Sequence, residues 1–140
     1  MIYVEEKKAD RQIELLELIA SDGNMLLCAW LYPDEVRDHI GGIAVEYNDL
    51  KLEQVSSYNE AADTRRTELV DATAENIESL HKHMNKVGGI DSLALYADGE
   101  SDWEVAVIGH ESLCIIRDER YLKMLLRAGF DASENAPEWW

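Results

Sequence analysis

The sequence predicts an α+β fold, mainly an antiparallel sheet with a C-terminal three-strand meander, packed against about three helices. Two observations predict it. Three short apolar runs, Ser92–Ala97, Trp103–Ile108 and Leu113–Ile116, follow one another across short glycine-bearing turns, as neighbouring antiparallel strands do. Three other stretches place apolar residues at helical spacing, giving the order helix, three strands, helix, three strands, helix. That order hints at a structural duplication, although the residues themselves do not repeat.

Taken in order, residues 7–22 read as the first helix. Ile13, Leu16, Ile19 and Ala20 recur on one face, Leu15 and Leu18 widen it, and Gly23 offers a left-handed stop. Met25–Tyr32 reads as a strand covered on both faces, because its polarity does not alternate, and Pro33 ends it. Asp34 can cap a short helix through Ile40, closed by Gly41-Gly42. Ile43–Tyr47 and Leu50–Tyr58 read as strands joined at Asn48-Asp49, a turn dipeptide. The polar stretch Asn59–Thr67 is a loop or the start of a helix. Asp71 or Thr73 caps the next helix, with Ile77, Leu80, Met84 and Val87 on one face and Gly88-Gly89 closing it. In the meander, Trp103, Val105 and Val107 alternate with Glu104 and Ala106, which suits a strand with one wetter face. A last helix covers Glu119–Ala128 with Tyr121, Leu122, Leu125 and Leu126 inward, and Gly129 ends it. The reading is one globular domain over 1–130 and a C-terminal tail over 131–140, whose Trp139-Trp140 pair is expected to dock on its own domain.

Charge restricts the partner more than the fold. Thirteen Lys and Arg face 29 Asp and Glu, a net charge of -16. Such a chain repels nucleic-acid phosphates and anionic lipid and attracts cationic proteins. The stretch 87–116 holds no Lys or Arg but does hold Asp91, Asp98, Glu100, Asp102, Glu104 and Glu111. Asp98, Glu100, Asp102 and Glu104 occupy alternate positions, which in extended chain points them to one side. The candidate partner-binding set is these six carboxylates with Tyr96 and Trp103 as aromatic anchors.

Other classes lack their signatures. His81 and His83 lie two apart, on different faces of a helix, so they do not ligate a metal jointly and read as exposed. Asp98-x-Glu100-x-Asp102 lacks the sixth-position glycine of a calcium loop. Neither G-x-S-x-G, a catalytic cysteine signature, a P-loop nor a dinucleotide fingerprint occurs, so no catalytic residue and no cofactor is assigned. Arg65-Arg66 alone makes no nucleic-acid stripe. Cys28 and Cys114 form no C-x-x-C pair and read as buried, reduced thiols. The first residues carry no secretory pattern, and the longest apolar run is too short to span a bilayer, so a cytoplasmic protein is expected.

Size, acidity and this lack of catalytic motifs resemble the small acidic bacterial immunity proteins and nuclease inhibitors. Three patches, Ser21-Asp22-Gly23, Tyr32-Pro33-Asp34-Glu35-Val36 and Val107-Ile108-Gly109, are similar in order to the cyanobacterial nuclease A inhibitor family. The resemblance implies a non-enzymatic inhibitor that sequesters a basic cognate toxin, a nuclease in many cases. No functional residue is carried over from it. The rival expectations are a DNA mimic that titrates DNA-binding proteins, a small enzyme, and a regulatory domain with an apolar contact patch. Oligomeric state stays open.

Overall fold

A computed structural model of the chain describes residues 1–47, 51–55 and 65–140. Among them, ten strands form one antiparallel sheet and three helices contribute to the core on one of its faces. In chain order these are β1 (Ile2–Glu5), α1 (Ala9–Ala20), β2 (Met25–Leu31), β3 (His39–Ile40), β4 (Ile43–Tyr47), β5 (Arg65–Thr67), β6 (Val70–Asp71) and α2 (Ala74–His81). There follow β7 (Ile90–Ala97), β8 (Trp103–Ile108), β9 (Leu113–Ile116), a single 3-10 turn at Glu119–Tyr121, α3 (Leu122–Arg127) and β10 (Ala132–Ser133). Across the sheet the strands run β10-β1-β9-β8-β7-β2-β5-β4-β3, and β6 also pairs with β2.

Side-chain alternation divides the central strands between two cores. Leu27, Ala29, Leu93, Leu95, Val105, Val107, Cys114 and Ile116 face the helices, where Leu15, Leu16, Ile19, Ile77, Leu80 and Leu125 meet them. Cys28, Trp30, Ala94, Tyr96, Ala106, Ile108, Leu113 and Ile115 face the other way and are also buried. Both faces are therefore dry, which is why β2, β9 and the Leu93–Ala97 part of β7 read as unbroken apolar runs. Residues 51–55 cross this second face. Tyr96 Oη donates to the Glu53 carbonyl (2.7 Å), Ser92 Oγ to the Val55 carbonyl (2.5 Å), and the Glu53 N–H to the Ser101 carbonyl (2.8 Å).

The meander and Ile43–Tyr47 lie where the sequence places them, and the N-cap of α2 is Thr73, whose hydroxyl accepts from the Asn76 N–H at 3.2 Å. Other elements differ. Asp34 starts no helix. Residues 33–38 are turn and open chain, and Gly41-Gly42, with φ of +56° and +77°, make the two-residue turn of the β3–β4 hairpin. Residues 51–55 carry no strand, and the remainder of the strand expected over 50–58 lies outside the described residues, as does 59–64. Helix α2 stops at His81, so Val87 lies beyond it and is 91% exposed. Leu126 likewise points outward from α3. Helix α1 ends without a left-handed glycine: Ser21 Oγ donates to the Leu18 carbonyl (2.7 Å) and the Asp22 N–H to the Ile19 carbonyl (3.0 Å). Ala106 is buried, so β8 has no wet face. The first residues form a strand, β1, and β10 pairs with it through Tyr3↔Ser133 and Val4↔Ala132.

Cys28 and Cys114 are both buried and free. They face opposite sides of the sheet with two strands between them, about 14 Å apart at strand spacing, beyond disulfide reach. Burial pushes the Cys28 thiol up to about 12 and the Cys114 thiol up as well. Only thiolate reacts with a disulfide reagent. The native protein should therefore stay inert to such a reagent at pH 8, with both thiols released at once in denaturant. A rapid native-state reaction would contradict this packing.

Candidate partner-binding surface

The β7–β8 turn carries the acidic group. The Glu100 N–H donates to the Ala97 carbonyl (3.0 Å), and Gly99 takes φ of +83° to close the turn. Asp98, Glu100 and Asp102 are all exposed there, and among the described residues none of them makes an ion pair. Their nearest neighbours behave differently. Glu53 pairs with Arg117, and Asp22 and Asp118 both pair with Arg120. Arg117 and Arg120 are thus already engaged.

Glu104 does not join the three. Pairing steps from Leu95↔Val105 to Tyr96↔Trp103, so Glu104 is the extra residue of a β-bulge. The bulge reverses the phase of β8: Val105 faces the helices, Trp103 faces the other core, and Glu104 is half-buried with its carbonyl accepting from the Arg117 N–H at 2.9 Å. Neither predicted aromatic anchor reaches the surface. Trp103 is buried beneath the Arg117 guanidinium, 4.3 Å from the ring centroid. Tyr96 is fully buried, accepts from Trp30 Nε1 at 3.0 Å, and its phenol is pushed up by burial.

Asp91 and Glu111 lie at the other end of the meander. Asp91 follows Ile90 at the start of β7, and seven residue steps along the strand separate it from Asp98, about 23 Å. It fills a second bulge, opposite the Trp30–Leu31 step, is 1% exposed, and lies 2.6 Å from His110 Nδ1. Glu111 Oε1 lies 3.5 Å from His110 Nε2. The eight predicted residues therefore divide into an exposed turn, a half-buried bulge residue (Glu104), a buried aromatic layer, and two remote carboxylates beside His110.

Sequence reasoning missed Asp71. Register places Leu26 between Asp71 on β6 and Tyr96 on β7, and Asp71 and Asp98 line one cleft of about 400 Å³ with Asn24 and Thr73. The only sequence signal is pairing between strands 45 residues apart in the chain, which local pattern does not carry.

His81 is buried, not exposed. Its Nε2 meets Gln12 Oε1 at 2.8 Å, and Gln12 Nε2 donates to the Glu6 carbonyl at 2.6 Å, tying α2 to α1 and to the end of β1. Burial lowers its pKa below the ordinary 6.5. Between the lowered value and 6.5 the unfolded chain binds more protons, so this contribution is full above pH 6.5 and is lost as pH falls. The urea midpoint should drop between pH 7.5 and 5.5, and drop less in His81→Gln. An equal drop in both proteins would acquit His81.

Among the described residues no group of three or more His, Cys, Asp or Glu is placed to hold a metal ion, and no helix is long and apolar enough to cross a membrane. Comparison with known proteins returned nothing: no family model, no curated protein and no solved structure matches the chain.

Proposed function

We propose that the chain is a non-enzymatic, cytoplasmic inhibitor that binds a basic protein, an immunity protein neutralising a cognate toxin of nuclease type. The observation that carries this reading is the unpaired carboxylate rim: Asp98, Glu100 and Asp102 on one exposed turn, with Asp71 across the cleft, in a chain of net charge -16. Like charges held together repel one another, and a cationic partner relieves that repulsion while long-range attraction speeds encounter. On this reading the carboxylates occupy the surface with which a nuclease holds phosphates, or an exosite beside it. The pairing of Arg117 with Glu53 keeps the local base from collapsing onto the rim, so little reordering accompanies binding.

The test is affinity capture from native host lysate with tagged protein, washed at low and then high salt. One basic protein retained in near-equal amount supports the reading. Many nucleic-acid-binding proteins released together by salt would replace it with a DNA mimic, and an empty eluate would remove it. With the partner in hand, Asp98→Asn/Glu100→Gln/Asp102→Asn should slow association roughly tenfold or more at low salt and flatten its salt dependence. Its unfolding midpoint should hold or rise. An unchanged association rate would take the turn out of the interface.

A further inference from the structure

The rim supplies charge but no anchor, since Tyr96 and Trp103 are buried. Protein interfaces draw much of their energy from aromatic and Arg side chains seated at the contact. Among the described residues, the exposed aromatic side chains are Tyr47, Trp139 and Trp140. Tyr47 is occupied: the Arg65 guanidinium lies 5.0 Å from its ring centroid, and Arg65 Nη2 donates to its hydroxyl at 2.7 Å. Trp139 and Trp140 are 53% and 48% exposed and pack edge to face, centroids 6.3 Å apart. Trp139 Nε1 donates to Glu5 Oε1 at 2.6 Å, which orients the indole while leaving half of it bare.

Beside Trp139 opens a cleft of about 590 Å³ whose walls include the carboxylates Glu5, Glu6, Glu111 and Asp131, which outnumber its two bases, Lys7 and Lys8. Glu134 and Glu138 are exposed on the same ten-residue segment, which carries no base. Half-bare indoles on a segment rich in carboxylates match a guanidinium, which stacks on a ring and hydrogen-bonds acids in its plane. We infer that the Trp139–Trp140 surface is a second contact for the basic partner and takes an arginine-bearing segment of it. The inference rests on the inhibitor reading for its partner. Because Glu5 pairs with Leu113 while Ile2 pairs with Ile116, this surface lies toward the end of the strands away from the carboxylate rim. The separation is about 20 Å, within the span of an interface of roughly 800 Å² per partner.

The experiment compares nona-arginine with nona-lysine at one ionic strength, so that charge is constant and ring stacking varies. The full chain should bind nona-arginine about fivefold more tightly than nona-lysine. That ratio should fall toward one in Trp139→Ala/Trp140→Ala and survive in Trp139→Tyr/Trp140→Tyr, which keeps the rings. Equal affinities in the parent chain, or a ratio unmoved by the alanine pair, would overturn the inference. Asp98→Asn/Glu100→Gln/Asp102→Asn should weaken both peptides alike and leave the ratio intact. If that triple variant weakens neither while the alanine pair erases the ratio, the rim fails and the tryptophan contact stands.

Discussion

Trp30→Ala should destabilise the protein by about 3–5 kcal/mol, a large share of the roughly 5–15 kcal/mol that holds a domain of this kind together. Trp30 is 1% exposed on the central strand β2, opposite Arg66 on one side and Ser92 on the other. Alanine there removes a whole indole from the second core and takes the donor away from Tyr96 Oη, which holds residues 51–55 through the Glu53 carbonyl. Trp30→Phe fills most of the space, losing the hydrogen bond and a small part of the packing, so about 1–2 kcal/mol is expected. Urea denaturation measures both. Hydrogen exchange adds a spatial check, because the Glu53 N–H, bonded to the Ser101 carbonyl, should lose protection early in Trp30→Ala. A cost below 1 kcal/mol for the alanine variant would mean that the second core is not packed as described.

Gly88→Ala should rank next. A Cβ at Gly88 would sit 2.5 Å from the His83 carbonyl oxygen and 2.6 Å from its Cα, both backbone atoms that no rotamer change can clear. The chain is tight here for a reason: the Gly88 N–H donates to Asn85 Oδ1 at 2.5 Å and the Ile90 N–H to the His83 carbonyl at 3.0 Å, folding the 82–89 connection back on itself ahead of β7. Overpacking costs about 1–3 kcal/mol, and contact with backbone puts this site at or above the top of that range. Two other glycines calibrate it. Gly99 has open space but φ of +83°, so alanine should cost about 1–2 kcal/mol. Gly23 has open space and no positive φ, so alanine should be neutral or mildly stabilising. The order Gly88, Gly99, Gly23 in measured unfolding free energies is the check, and any inversion would fault the loop geometry.

Local pattern made β7, β8, β9 and the three helices legible, because each carries its own local set of apolar residues, largely continuous in the strands and at helical spacing in the helices. What it could not show depended on partners far away in the chain. Strand β1 is four residues long and β10 two, and neither carries a periodic signal; they are strands because they pair with β9 and with each other. Gly41-Gly42 reads equally as a helix stop or a hairpin turn, and only the pairing of Ile40 with Ile43 decides. The candidate surface followed the same rule. Asp98, Glu100 and Asp102 were legible as a cluster because a turn keeps neighbours together. Glu104 and Trp103 were misread because one inserted residue reverses strand phase. Asp71 was missed because register, not sequence distance, brings it to Asp98.

Strand β1 has a kinetic consequence. Among the described strands it is made before the others, yet its two partners, β9 and β10, are made after all the rest. Closing the Ile2↔Ile116 pairing means closing a loop of more than a hundred residues, so folding should be slow for a chain of this size. Until then the β9 edge is open, and Leu113–Ile116 offers four apolar residues in a row to any neighbouring nascent chain. Docking of β1 seals that edge, and the two-residue β10 and β3, outermost among the described strands, are short ladders for a stranger to extend.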